Sequence, residues 1–431
     1  MSDSLDDWGG AEFALAADRL DTPDVVEAAD PADVLRQVAS AAAQVRTALR
    51  SCQEADLSAF TPDARPRAIV TVGLGSAALA GEVLAAIVGP SSPVQVVASQ
   101  AERLPGWVGA ADVVIAVSGS GATAETLAIA AEAARRGCRL AGVGPKDSPL
   151  QHIAEQARAP FIQVEGLAGP GSALPRTALW GLVIPLLVIA ERLGVTRLGA
   201  DIYEKAANRL EDVSHQCRPA SESFVNPGKS LALDLVGSLP LVWGTSPLSG
   251  VAARRFAASI SENAKYPAIA GVLPEVAGGQ IATFDGPFAS GAHLAPDDPA
   301  PSRPRPDSAE DEPGELPGLS GLEDLSSWEL DYEEAEMTDP ARASGFTPLR
   351  LVLITDPEQD QRAAAQHRAV TDLVTQRGIG LSELAMDGEH PLVRLAGVLQ
   401  LADYASVYLA IASGIDPGSA AAITDLQARI E

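Results

Sequence analysis

Aromatic residues make up only 4% of this 431-residue chain, and cysteine occurs three times and histidine five. With few rings available, the core falls to Ala, Val, Leu and Ile, and a hydrophobic share of 46% beside 20% charged residues suits a folded chain. Cys52, Cys138 and Cys217 are widely spaced, odd in number and form no CxxC pair, which argues against a disulfide framework or thiolate zinc site and fits a reducing cytoplasm. His152, His215, His293, His367 and His390 include no HxH and no HExxH, so no metal and no metal cofactor is expected. Positive charge is also scarce: 31 Lys and Arg stand against 57 Asp and Glu, a net charge of −26. Such a surface repels phosphate backbones and anionic lipid, so neither nucleic acid nor membrane is an expected partner. A small anion can bind only where local donors overcome that field.

Long membrane-spanning runs are not expected either. The uncharged run between Arg176 and Glu191 is 14 residues long and contains Pro185, short of the ~20 needed for a span. It reads as a buried helix. The first ten residues, MSDSLDDWGG, are acidic without an apolar centre, unlike a secretory signal. A soluble cytoplasmic protein is the expectation.

The length exceeds one ordinary domain of ~100–200 residues. Residues 68–72, 94–98, 112–117 and 139–143 read as strands, alternating with helices at 76–88 and 125–136. A second round follows a boundary near 219–228, with strands at 239–243, 350–355 and 381–386 and helices at 248–264, 359–376, 393–412 and 419–430. Alternation of this kind predicts an α/β fold of two domains, each a parallel sheet flanked by helices. The expected division is an acidic leader over 1–30, a first domain over 31–220 and a second over 221–431.

The second domain is interrupted by an insertion, placed at 290–345. Within 296–340 stand 15 acidic residues, eight prolines and only two basic residues, Arg303 and Arg305. That composition cannot bury enough apolar surface to offset ordering entropy and predicts disorder. It is either a solvated insertion or an acidic docking arm for a basic protein partner. Its second half (Leu316, Leu319, Leu322, Leu325, Trp328, Leu330) has apolar residues near helical spacing.

Ser118-Gly-Ser-Gly-Ala-Thr123 lies between a strand and a helix start. Ser118, Ser120 and Thr123 offer three hydroxyls, the glycines allow close approach, and the helix N-terminus adds free N–H groups. Neutral donors of this kind can hold a phosphate; a plain capped turn is the alternative. Gly73-Leu-Gly75-Ser76-Ala-Ala78 matches the dinucleotide pattern GxGxxA, but the next strand ends Val97-Ala-Ser-Gln100 without the acidic ribose partner. It is read instead as a second glycine turn on the same crevice. In Ser259-Ile-Ser-Glu-Asn-Ala-Lys-Tyr-Pro267, Glu262 is a candidate base beside Asn263 and Lys265, although spacing alone reads as an exposed helix end. Arg176 precedes the buried helix as a cap-region ion pair or as an anion clamp.

Four segments carry a resemblance. Ser118-Gly-Ser-Gly-Ala-Thr-Ala-Glu-Thr126 is similar to the signature of sugar isomerase (SIS) domains. Leu174-Pro-Arg-Thr-Ala-Leu-Trp-Gly181, Ser261-Glu-Asn-Ala-Lys-Tyr-Pro-Ala268, and Asp403-Tyr-Ala-Ser-Val-Tyr-Leu-Ala410 with Gly414-Ile-Asp-Pro417 resemble, in order, segments of the bifunctional phosphoglucose/phosphomannose isomerases. The resemblance implies two SIS domains with the site between them, usually completed by a partner in a homodimer, and a hexose phosphate as substrate. It implies that Ser118, Ser120 and Thr123 bind the phosphate, with Gly75 and Ser76 lining the same site. Glu262 becomes the base that moves a proton between C1 and C2, and Arg176 the cation beside the enediolate. No cofactor is implied.

The chain departs from the family at three places. The family's ring-opening histidine falls at Gly278, in Pro274-Glu-Val-Ala-Gly-Gly-Gln280. The tail Asp425-Leu-Gln-Ala-Arg-Ile-Glu431 lacks the family's lysine, and Gly75-Ser-Ala-Ala78 shifts the serine of GGSA by one position. Two activities follow as expectations: an aldose–ketose isomerase, or a sugar-phosphate-binding regulator without turnover.

Overall fold

The computed structural model describes residues 6–166, 174–289, 347–359 and 361–430. The acidic stretch 296–340 lies outside the described residues. The chain opens with four helices, α1 (Asp6–Asp21), α2 (Pro23–Ala29), α3 (Val34–Ala39) and α4 (Ala41–Glu54). The first sheet follows, built from β1 (Ala68–Val72), β2 (Gln95–Ser99), β3 (Val113–Val117), β4 (Arg139–Gly144) and β5 (Phe161–Gln163). Its helices are α5 (Ser76–Val88), α6 (Ala124–Arg135), α7 (Pro149–Gln156), α8 (Leu179–Arg192) and α9 (Gly199–Gln216). The second half contains α10 (Pro227–Leu235), β6 (Leu239–Gly244), α11 (Pro247–Ser259), β7 (Ile269–Val272), β8 (Leu349–Thr355), α12 (Gln361–Gln376), β9 (Gly380–Ala385), α13 (Pro391–Ala412) and α14 (Ala421–Ile430).

Both sheets are parallel throughout, in the orders β2-β1-β3-β4-β5 and β7-β6-β8-β9. A parallel sheet needs cover on both faces, so its central strands read as unbroken apolar runs. β3, Val-Val-Ile-Ala-Val, is buried at all five positions for that reason. One apolar core joins the inner faces of the two sheets through α4, α5, α8, α9, α10, α11 and α13, and a smaller core lies on each outer face. In the outer core of the second sheet, Trp243 stacks on Phe284 at 5.4 Å and its indole N–H donates to Gln280 at 2.7 Å, so one of the few large aromatics is fully satisfied.

α13 is long and apolar enough to cross a bilayer, yet 94% of its apolar window is buried inside the fold. It is the central core helix. The acidic N-terminal stretch contains α1, whose Arg19 donates to the Ala412 carbonyl at 2.8 Å, at the end of α13. The helix expected over 248–264 divides: α11 stops at Ser259, and Ile260–Ala264 continues as a wide π turn that ends on Lys265 at φ 62°.

In each sheet the chain first adds a strand on one side and then crosses to the other. The crevices at the strands' carboxyl ends therefore open between β1 and β3 and between β6 and β8. Ligands in open α/β sheets bind at such reversals.

Candidate active site

The first crevice is built from two glycine turns. Gly73, after β1, sits so close to β3 that a Cβ there would lie 2.7 Å from the Val117 carbonyl oxygen. Only glycine lets the two loops touch. Gly75 opens α5 at φ 58°, a conformation that favours glycine, and Ser76 is the first residue of that helix. Of this turn, Gly73 is the residue that touches the loop after β3.

In that loop the three hydroxyls converge. Ser118 Oγ lies 2.9 Å from Thr123 Oγ1 and 3.4 Å from Ser120 Oγ, and Ser120 and Thr123 are 3.5 Å apart. Gly121, at φ 68°, donates its N–H to Ser118 Oγ at 2.9 Å, and a Cβ there would strike Ser148 at 2.3 Å. Thr123 is the N-cap of α6, but its side chain caps no backbone N–H. The threonine hydroxyl points to the other hydroxyls and makes no side-chain cap on the helix, while Ser120 Oγ accepts from Ala122 N–H at 3.2 Å within the turn.

Arg176 comes next to this loop. A Cβ on Gly119 would meet Pro175 at 3.7 Å, so the Pro175–Thr177 turn forms the adjoining wall. Arg176 Nε donates to Asn263 Oδ1 at 2.8 Å and Nη2 to the Pro417 carbonyl at 2.5 Å. Among the described residues it makes no ion pair, so the cap-region ion pair is not what forms. Burial holds its guanidinium below the ordinary arginine value, Arg255 adds to that, and Glu262 and Asp416 oppose it.

Glu262 lies in the π turn. The reading of an exposed helix end fails here: Asn263 is 4% exposed and Glu262 is half-buried. A π turn adds a residue to the helical circuit, and such turns are frequent at functional sites. This one brings Asn263 Nδ2 to Ser406 Oγ on α13 at 2.9 Å. Glu262 Oε2 is buried and has no hydrogen-bond partner among the described residues. Its charge is nevertheless felt by Arg176, Arg255 and Lys265. Lys265 donates to the backbone carbonyls of Glu262 (2.6 Å) and Asn263 (3.2 Å), closing the turn and leaving the carboxylate free.

Three residues that sequence reasoning did not single out complete the arrangement: Arg255, Asp403 and Ser406. Asp403 and Ser406 stand in the quoted Asp403–Ala410 motif, but nothing in spacing pairs them with residues over 140 positions away.

The second crevice, between β6 and β8, has a cavity of about 640 Å³, lined in part by Thr245, Ser246, Arg254, Glu358 and Arg362. Its helix end is closed, because Ser246 and Ser249 form a capping box on α11. Ser246 Oγ also donates to Asp356 at 2.7 Å, and Arg394 lies 3.4 Å from the same carboxylate. A protein carboxylate already occupies the anion position there. In the first crevice, by contrast, the N-terminus of α6 carries no side-chain cap among the described residues.

Residues 224–430 match the family model of the bacterial phospho-glucose isomerase C-terminal SIS domain. The chain is a relative of the bifunctional phosphoglucose/phosphomannose isomerases. It is 26% identical to the enzyme of that name from Caldicellulosiruptor bescii over 349 residues, 81% of this chain and 85% of that one. The Aquifex aeolicus enzyme of the same name is 29% identical over 43% of this chain and 51% of its own. Among solved structures, a hypothetical protein from Thermus thermophilus superposes with a TM-score of 0.60 at 14% identity, covering 98% of this chain and 94% of that one. The C-terminal domain of glucosamine-fructose-6-phosphate aminotransferase from Francisella tularensis gives 0.58 at 14% identity, over 90% and 98%. These two likenesses speak for the fold, two SIS-type sheets.

The family's departures can now be located. Gly278 ends a short 3₁₀ turn, Glu275–Gly278, and a Cβ there would meet nothing within 4 Å. His390 does not stand in for the missing histidine within the same chain. It is the N-cap of α13, its Nδ1 accepting from Leu392 N–H at 3.1 Å. Sixteen residues of helix separate it from Ser406, about 24 Å at 1.5 Å per residue.

Proposed function

We propose that the protein is an aldose–ketose isomerase that converts glucose 6-phosphate or mannose 6-phosphate to fructose 6-phosphate through an enediolate, working as a cytoplasmic homodimer. The observation that carries this reading is the buried Oε2 of Glu262, unpartnered among the described residues, beside an arginine whose hydrogen bonds among those residues go to neutral oxygens. The phosphate is assigned to Ser118, Ser120, Thr123 and the α6 N-terminus, with Gly75 and Ser76 at its edge. Glu262 takes the C2 proton, and the electron pair forms the C1–C2 double bond. The carbonyl oxygen O1 becomes an oxyanion beside Arg176; the C2 hydroxyl proton then passes to O1, and as C2=O forms the same carboxylate returns its proton to C1. The named activity of the Caldicellulosiruptor relative supports the isomerase reading. The three free, buried cysteines are in keeping with a reducing compartment.

A specific observation favours a second reading. With Gly278 at the histidine's place and His390 at the far end of α13, neither position supplies a ring-opening histidine among the described residues, as expected of a sugar-phosphate-binding regulator. A coupled isomerase assay beside thermal melting separates the two. Hexose 6-phosphates should raise the melting temperature while free hexoses do not, since a ligand at 100 times its Kd adds about 2.7 kcal/mol. Shift with turnover supports the isomerase and shift without turnover the regulator. Equal shifts with glucose and glucose 6-phosphate would remove the phosphate site altogether.

A further inference from the structure

Behind Arg176 lies a closed loop of hydrogen bonds that the proposed chemistry does not itself require. Arg255, on α11, is 4% exposed and donates from Nε to Asp403 Oδ1 at 2.9 Å. Its Nη2 donates to the backbone carbonyl of Arg176 at 2.6 Å. Asp403, on α13, also accepts from Ser259 Oγ at 2.9 Å, and its backbone carbonyl accepts from Ser406 Oγ at 2.8 Å. Ser406 Oγ accepts from Asn263 Nδ2 at 2.9 Å, and Asn263 Oδ1 accepts from Arg176 Nε at 2.8 Å, which returns the path to its start.

A buried ion pair is weak evidence for stability, since desolvating both charges offsets most of their attraction. Burial alone would lower the Arg255 value, and Asp403 overrides it, so the guanidinium stays charged. The arrangement has one evident geometric effect. It fixes Arg176 at its backbone and at Nε without placing a carboxylate on its guanidinium. An arginine oriented by carboxylates would arrive already neutralised, whereas an amide oxygen and a peptide carbonyl orient it and leave its charge for an incoming oxyanion.

We propose that Arg255, Asp403, Ser406 and Asn263 form a positioning relay that orients Arg176 toward the developing enediolate while keeping its charge unpaired. This inference rests on the isomerase reading above. The relay acts on the reacting end of the substrate and does not touch the phosphate loop, so the two ends can be tested apart.

The test uses the full chain with two substitutions that leave the Arg255–Asp403 pair in place. Ser406→Ala cuts the relay, and Asn263→Asp keeps the shape but sets a carboxylate on Arg176. For each, kcat and KM for glucose 6-phosphate are measured, with binding of inorganic phosphate and of a phosphate-bearing hydroxamate that mimics the enediolate. The expected result is a roughly tenfold fall in kcat for Ser406→Ala and a larger fall for Asn263→Asp. KM and phosphate binding should stay within about twofold, and hydroxamate affinity should fall in step with kcat. A Ser406→Ala protein with wild-type kcat and hydroxamate affinity overturns the relay while the isomerase reading stands. Equal losses of phosphate and hydroxamate binding also overturn it, because they indicate general loosening. Wild-type protein that binds neither probe overturns the functional reading, and the relay with it. If Ser406→Ala does not fold, Asn263→Asp alone decides by the same split between kcat and phosphate binding.

Discussion

Replacing Glu262 with Gln removes the proton acceptor and the negative charge felt by Arg176, Arg255 and Lys265, and leaves the shape of the side chain. The carboxylate makes no side-chain hydrogen bond among the described residues, and Lys265 is held by the backbone of the turn rather than by the carboxylate. The substitution therefore breaks no bond of the fold. Its structural cost is the new amide donor at the buried Oε2 position, about 1–3 kcal/mol if it finds no partner. In a chain of this size that is a melting shift of a few degrees. The catalytic cost is larger. General acid–base help is typically worth ~10²–10⁴-fold, or about 2.7–5.5 kcal/mol at 1.36 kcal/mol per decade. The two costs are separable in one preparation. Exchange of the C2 proton of glucose 6-phosphate in heavy water, followed by proton NMR, reads the base directly and does not depend on product release. We expect exchange to fall at least 100-fold, with hexose-phosphate affinity by calorimetry within a few fold of wild type. Exchange at the wild-type rate in Glu262→Gln would refute the assignment of the base, whatever the melting temperature did.

Two further outcomes follow from other parts of the molecule. Deleting 296–340 should leave a folded protein with an equal or slightly higher melting temperature. Leu349 N–H donates to the Phe288 carbonyl at 2.7 Å, so the two ends already meet, and roughly fourfold shortening of the connection favours closure by about 1 kcal/mol; a deletion variant that melts more than ten degrees lower would show that the segment contributes to the core. His390 is held below the ordinary histidine value by burial and then by Arg394, against the opposing charges of Glu358 and Asp201 and with a small push from Lys205. Its neutral form is favoured by the fold, so its contribution is fully present above the ordinary value of 6.5 and is lost as pH falls through its lowered value. His390→Asn keeps a capping acceptor that does not titrate, and should flatten the fall in melting temperature between pH 7 and pH 5; an unchanged slope would place that pH dependence elsewhere.

The central strands were legible because a doubly covered parallel strand must be apolar at every position, and β1, β3, β6 and β8 lie within a residue or two of where their runs predict. β7 carried no such signal. It is four residues long at the sheet edge, Ile-Ala-Gly-Val, with Ile269 largely exposed. The hydroxyl loop was legible for a local reason, since its three side chains act within six residues of each other. Arg255 was not. An arginine in an alternating helix reads as solvent-facing until its partner is known, and that partner, Asp403, stands 148 positions away. Lys229 escaped for the same reason: it is 1% exposed, and its ammonium donates to the carbonyls of Leu20, Pro219 and Ser221. The π turn was illegible too, because Ser-Glu-Asn at a helix end looks polar and exposed until α13 is placed against it.

The proposed anion site does not conflict with a net charge of −26 once distances are considered. At physiological salt the Debye length is about 8 Å, so acidic residues farther off across solvent are largely screened, and only groups at contact range decide. At that range the two crevices differ. In the second, Asp356 already sits on Ser246 and against Arg394, and any incoming anion would have to displace a covalently tethered carboxylate. In the first, the corresponding space holds three hydroxyls bonded to one another, an uncapped helix end and an arginine held by neutral oxygens. Hydroxyl–hydroxyl bonds are cheap to exchange for hydroxyl–phosphate bonds, which are charge-assisted and stronger. Two parallel sheets have thus taken different solutions: the second caps its helix with Ser246 and Ser249 and sets Asp356 on Ser246, and the first leaves the α6 N-terminus without a side-chain cap, which suits the anion site proposed there.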